Sequence, residues 1–136
     1  MAAILDTSCL YALMDADDGG HRRTLKAVEA FAETLLLPDV VLPEVSYLVN
    51  KYLGVEAEIK LLSSIEDGEL ALETFLQQDI SRVAQLIAGY RDSRIGFVDA
   101  AIVAMAERLG VTKVFTLDKH FRMIRPMHAA GFEVLP

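Results

Sequence analysis

Residues 95 to 115 read I95-G-F-V-D-A-A-I-V-A-M-A-E-R-L-G-V-T-K-V-F115: an apolar run, a glycine, and a short β-branched stretch. From Gly96 to Leu109 small and hydrophobic residues occupy almost every face of a 3.6-residue repeat, the pattern of a helix surrounded by protein. Gly110 supplies the stop, because a glycine in the left-handed region commonly ends a helix. The following K113-V-F-T116 reads as a buried strand. A helix feeding an apolar strand is half of a βαβ unit, and such units build parallel sheets with helices on both faces.

Working outward, the alternation continues in both directions. AAILDT at the start reads as a buried strand, SCLYALMDADD as a helix, GHRRTLKAVEAFAE as an amphipathic helix and LLLP as a short strand. Helices are expected from about Asp39 to Leu53, with Asp39 as cap and Pro43 confined to the first turn, and from Val55 to Glu66. Glu69 to Phe75 is a third strand candidate, Asp79 to Arg91 a further helix, and FEVL a last strand. The expected fold is α/β, a three-layer α/β/α arrangement around a mostly parallel sheet of about five strands. The length of 136 residues is that of one domain, spanning residues 1–136 without repeats or a linker.

Asp99 stands inside the apolar run. An isolated ionised carboxylate in an apolar interior costs many kcal/mol, so it must be paired, neutralised or bound to a cation. Its helical neighbours three and four residues away are Ile95, Gly96, Ile102 and Val103, and none is positive. Arg94 lies five residues back and off that face. Glu44 in LPEVSYLVNKY has the same character, with Val40, Val41, Tyr47 and Leu48 around it. Asp6 ends the first strand, and Asp118 follows KVFTL.

In open α/β sheets ligands bind beyond the carboxyl ends of the strands, where strand order reverses. If the first and fourth strands are neighbours there, Asp6 and Asp118 face each other, and the start of the Asp99 helix lies at the same end. Each acid also has an ordinary reading: Asp6 as a helix cap, Asp99 as an answer to the helix dipole, Glu44 as a partner of Lys51, Asp118 as a turn residue. Four such acids together repel unless cations sit among them. Hard carboxylate oxygens suit Mg²⁺ or Mn²⁺; His and Cys are too few and scattered for zinc.

The bulk properties set limits. No run approaches the roughly 20 apolar residues of a membrane helix, MAAILDTS has neither the basic nor the long apolar segment of a secretory signal, and the single Cys9 excludes an internal disulfide. A cytoplasmic location is expected. The net charge of −7 opposes nucleic acid binding in general, so any polyanion must be met locally. Two basic groups qualify: His21, Arg22, Arg23 and Lys26 on one helix, and Lys119, His120, Arg122 and Arg125 after the last acid. His128 has no ligand-like spacing, and Met105, Met123 and Met127 read as packing residues.

The succession D6-T-S, P43-E-V-x-Y-L, G96-F-V-D-A-A-I-V-A-M-A-E-R-L-G110 and F115-T-L-D-K-H-F121 resembles the PIN domain, and within it the VapC toxins of toxin-antitoxin pairs, over nearly the whole chain. The resemblance implies a Mg²⁺- or Mn²⁺-dependent endoribonuclease whose site is formed by Asp6, Glu44, Asp99 and Asp118, with Thr116 as the hydroxyl residue beside the last acid. It also implies a VapB-type antitoxin as partner and a homodimer. Some family members carry a further acid just after the last one, where this chain has Lys119 and His120. On this reading Asp6 and Asp99 hold the principal metal and Glu44 and Asp118 complete its surroundings or orient water, with Thr116 and Ser8 hydrogen-bonded to the ligating carboxylates. Water activated in this way does not need the RNA 2′-OH, so 5′-phosphate and 3′-hydroxyl ends are expected.

Other functions fit less well. A haloacid-class phosphatase wants a second acid two residues after the first, where Ser8 stands. A receiver domain wants paired acids near strand one and a phosphoacceptor at a later strand end, which LLLP and ELALETF do not provide. A binding module that sequesters RNA or a protein without catalysis remains open on the sequence, and its action would not respond to chelation.

Overall fold

A computed structural model describes residues 1–136. The elements run β1 (Ala2–Leu5), α1 (Thr7–Met14), α2 (His21–Ala30), β2 (Thr34–Pro38), a 3₁₀ turn (Asp39–Val41), α3 (Leu42–Leu53), α4 (Val55–Glu66), β3 (Ala71–Glu73), α5 (Asp79–Gly89), α6 (Phe97–Leu109), β4 (Lys113–Phe115), α7 (His120–Met123) and β5 (Glu133–Leu135). All strand pairs are parallel, in the order β3-β2-β1-β4-β5. The chain moves from β1 outward to β3, then returns past β1 to β4 on the other side. Because crossovers are right-handed, this reversal places the helices before β3 and those after it on opposite faces. The α/β/α sandwich read from the sequence is thus formed, with its switch point between β1 and β4.

Helix α6 is the most buried helix of the sandwich. Ala100 through Ala106 are all buried, and Gly110 ends the helix at φ 70, a conformation that residues with a Cβ adopt at a cost. Burial of Ile102, Val103 and Met105 stabilises the fold by about 2 kcal/mol each. On one face α5 packs on α6; on the other α1 packs on α2 and α3, and α3 on α4. Ion pairs fasten α5 to α6: Arg108 Nε to Asp79 Oδ1 at 2.9 Å and Arg82 Nε to Glu107 Oε1 at 2.8 Å.

Two expectations need adjustment. Asp39 does not cap α3; its Oδ1 accepts the Phe75 N–H at 3.0 Å and ties the 3₁₀ turn to the segment after β3. Pro43 does fall in the first turn of α3, where its missing N–H costs nothing. Met105 is buried as expected, but Met123 and Met127 are exposed, because the chain after α7 lies at the surface. The turn α7 itself, four residues long, is too short to leave a periodic signal. No helix is long and apolar enough to cross a membrane.

Candidate functional site

The β1–β4 register sets the site. Leu5 pairs with Phe115, so Asp6 and Thr116 emerge side by side at the carboxyl ends of the two central strands. The Asp6 backbone N–H donates to the Phe115 carbonyl at 3.0 Å. Its side chain is buried and uses both oxygens: Oδ1 accepts the Thr7 N–H at 2.7 Å, capping α1, and Oδ2 accepts the Thr116 hydroxyl at 2.8 Å. Capping therefore occupies one oxygen and leaves the other turned toward β4.

A hydroxyl pair stands behind that second oxygen. Thr116 Oγ1 donates its only proton to the ionised Asp6, and so accepts both the Asp118 N–H at 2.9 Å and the Ser8 hydroxyl at 3.3 Å. Ser8 Oγ in turn accepts the Leu117 N–H at 2.9 Å. The order Ser8 to Thr116 to Asp6 fixes the turn after β4 relative to the first acid. It is the kind of support that orients a ligating carboxylate.

Asp118 closes a local turn by accepting the His120 N–H at 2.9 Å, a common use of aspartate at position i to i+2. That turn brings the His120 ring to the acids. Its Nδ1 lies 3.3 Å from Asp118 Oδ1 and 3.5 Å from Asp99 Oδ2, aligned with neither as a hydrogen bond. Asp99, Asp118 and His120 offer ligand atoms that all lie within 4.8 Å of one another. Glu44, exposed in the first turn of α3, lines the same cleft of about 560 Å³ as Asp6, Asp99 and Asp118. Lys51 does not pair with it but lies 5.3 Å from the Tyr52 ring centroid and 5.9 Å from that of Tyr47.

The electrostatics match the crowding. Burial pushes the Asp6 carboxyl up from 3.8 to about 6, against the hydrogen bonds from Thr116 and Thr7, with the charges of Asp99 and Asp118 adding to the rise. Asp99 is raised first by burial and then by the Asp118 charge, with the His120 ring and the Gly96 backbone acting the other way. Carboxylates held above their ordinary range by burial and by one another favour either a proton or a cation. The donor set, all oxygen apart from one imidazole, is that of a hard divalent ion.

Of the basic residues singled out in the sequence, Arg23, Lys119 and Arg122 line a second depression that adjoins Asp118, whereas Arg22, Lys26 and Arg125 line neither it nor the acid cleft. His120 read as one more base in a basic run; the signal that reveals its place is the Asp118 turn. Tyr11, Asp18 and the half-exposed Phe97 also line the cleft and had no signal beyond their neighbourhood in sequence. Cys9 is buried, which pushes its thiol up to about 12 and leaves it unreactive at neutral pH. His128 is structural: its Nε2 meets the Val111 carbonyl at 2.7 Å and its ring packs edge-on to Phe132.

The sequence pattern of the PIN domain matches residues 3–125. Ribonuclease VapC26 of Mycobacterium tuberculosis is 34% identical over 134 residues, covering 98% of this chain and 99% of that protein. Among solved structures, Mycobacterium tuberculosis VapC20, described as a Sarcin-Ricin loop cleaving toxin, superposes with a TM-score of 0.84 at 18% identity, covering 96% of this chain and 99% of its own. VapBC2 from Rickettsia felis, bound to a DNA fragment from its promoter, superposes with a TM-score of 0.73 at 18% identity over the full length of both chains. At such identities the superpositions speak for the fold, and the sequence matches for the family. With its switch-point acids and its buried α6 in this setting, the chain belongs to the PIN-domain family, among its VapC members.

Proposed function

We propose that this chain is a Mg²⁺- or Mn²⁺-dependent endoribonuclease, a single nuclease domain over residues 1–136, acting as the toxin of a VapBC-type pair. The observation that carries the reading is the convergence of Asp6, Glu44, Asp99 and Asp118 on one cleft at the β1–β4 switch point. A divalent cation bound there would supply Lewis acidity, neutralising phosphoryl charge and lowering the pKa of a bound water. Asp6, Asp99 and Asp118 would hold it, and Glu44, exposed in the cleft and free of ion pairs, would take the proton of the attacking water. The water oxygen bonds to phosphorus as the bond from phosphorus to the 3′ oxygen breaks, and the departing 3′ oxygen takes a proton from solvent, leaving a 5′-phosphate and a 3′-hydroxyl. Thr116 and Ser8 keep Asp6 oriented throughout.

The relation to Ribonuclease VapC26 supports the substrate class, the fold shared with the VapBC2 pair supports a VapB-type antitoxin as partner, and a cytoplasmic location belongs to the same proposal. Exposed Tyr47, Tyr52, Val55, Ile59 and Leu62 on α3 and α4 are apolar surface of the kind that a protein partner or a second copy in a homodimer covers. The direct test is to sequence RNA ends after brief induction in cells. New 5′-phosphate ends should appear with the wild type and be absent with Asp99→Asn. Growth arrest without new ends, and equal for both proteins, favours RNA or protein sequestration instead.

The hydroxyl pair gives a separate expectation. Thr116→Val removes the donor to Asp6 and the acceptor for the Asp118 N–H, and should weaken Mn²⁺ binding by about 10- to 100-fold in calorimetric titration. Thr116→Ser, which keeps both bonds, should bind within a few-fold of wild type. Equal affinity for all three proteins would show that the pair does not support the site.

A further inference from the structure

We propose that the depression beyond Asp118 is a phosphate subsite, seating the backbone phosphate next to the scissile one in a bound RNA strand. The inference rests on the ribonuclease reading and deepens it. Three cations from two separate segments converge on this depression of about 310 Å³: Arg23 from α2, Lys119 just before α7 and Arg122 within α7. Against them stands one carboxylate side chain, Asp118. None of the three is in an ion pair; of the other Lys and Arg only Arg82, Arg108 and Lys113 hold an acid, so what sets these three apart is that they share one hollow. In a chain with 20 acids and 13 Lys and Arg, three unpaired cations gathered in one hollow repel each other until an anion arrives.

The location names the anion. Leu117 and Asp118 line this depression and the acid cleft alike, so the two hollows share a wall. A strand whose scissile phosphate lies in the acid cleft carries another phosphate on each side of it, and one of these reaches across Asp118. Two guanidinium groups offer the forked donors that phosphate oxygens match, and Lys119 adds a point charge. The arrangement also explains how a chain of net charge −7 meets a polyanion: the cations stand beside the reacting centre, not over the whole surface. A segment of acidic protein would satisfy the same cations, but nothing in its chemistry calls for continuity with the acid cleft.

The test uses cleavage-inactive Asp99→Asn protein with Mg²⁺ and a fluorescently labelled oligouridylate, its affinity measured by anisotropy across a salt series. Adding Arg23→Ala, Lys119→Ala and Arg122→Ala together should reduce the slope of log affinity against log salt by about 2, at about 0.7 per lost contact to a single strand. Arg122→Gln alone should reduce it by about 0.7, and Arg22→Ala, Lys26→Ala and Arg125→Ala together should leave it unchanged. These side chains are exposed, and melting curves confirm that each variant folds. Equal slopes for the two triple variants, from a protein whose wild type cuts RNA, would overturn the subsite alone. An unchanged RNA slope with loss of binding to a polyglutamate peptide would assign the hollow to an acidic protein segment and also overturn it. A wild type that neither binds nor cuts RNA would remove the ribonuclease reading and the subsite with it.

Discussion

Asp99→Asn is expected to lower RNA cleavage by a factor on the order of 10³ or more, the scale seen when one member of a catalytic group acting as a unit is removed. In the same protein, the melting temperature in EDTA is expected to rise above wild type. The two effects share one cause. Asp99 starts the most buried helix of the fold and faces Asp118, so its charge is unfavourable to the metal-free protein and useful only when a cation binds. Asparagine keeps the shape and removes one repelling charge, a relief on the order of 1 kcal/mol. Millimolar Mg²⁺ should invert the order, since a ligand that binds only the native state stabilises only the protein that keeps the site. A variant that is less stable than wild type in EDTA, and is indifferent to Mg²⁺ along with wild type, would make Asp99 a structural residue.

The second large effect is in the pH dependence of the metal-free protein. Asp6 is raised from 3.8 to about 6, and Asp99 is raised as well, so both bind protons more tightly in the folded than in the unfolded chain. Their contribution to stability is then fully present below pH 3.8 and is lost as pH rises through the folded values. For buried Asp6 the loss between about pH 4 and pH 6 is on the order of 3 kcal/mol, levelling off above. Like Asp15, Glu33 and Glu58, Asp79 and Glu107 act in the opposite sense, at the acid end of this window. Burial raises each, but hydrogen bonds dominated by Arg108 and Arg82 leave both below the ordinary range, so their stabilisation fades only as pH falls through acid values. Urea unfolding in EDTA at a series of pH values measures the slope. With Mg²⁺ the slope should reverse in sign, because metal binding requires the ionised carboxylates. A metal-free stability that is flat or rising from about pH 5 to pH 6, above the range in which the other carboxylates titrate, would mean that the acids are not forced together.

Much of the architecture was legible because it rests on periodicity. The α6 run has no polar face, and a helix of that kind has to be the layer against the sheet; the strands are short and apolar for the same reason. Asp99 and Glu44 could be read as unusual because their helical neighbours offer no cation, a local property. Asp6 carried two readings, and the structure shows why neither displaced the other: one oxygen caps α1 and the other meets Thr116. What stayed hidden depends on the tertiary fold. His120 reaches two acids only through the Asp118 turn. Arg23 stands nearly a hundred residues from Lys119 and Arg122, and only the docking of α2 beside the end of β4 joins them. Met123 and Met127 are exposed although they read as packing residues, because an apolar side chain in a surface segment has no pattern to mark it as exposed.

The most direct measurement is cleavage of RNA by the purified, antitoxin-free protein, first in excess EDTA and then after Mn²⁺ is restored. A site built from Asp6, Glu44, Asp99 and Asp118 around a cation requires no cleavage in EDTA, and recovery on addition of Mn²⁺ in wild type but not in Asp99→Asn. Equal cleavage in EDTA and in Mn²⁺ would contradict it.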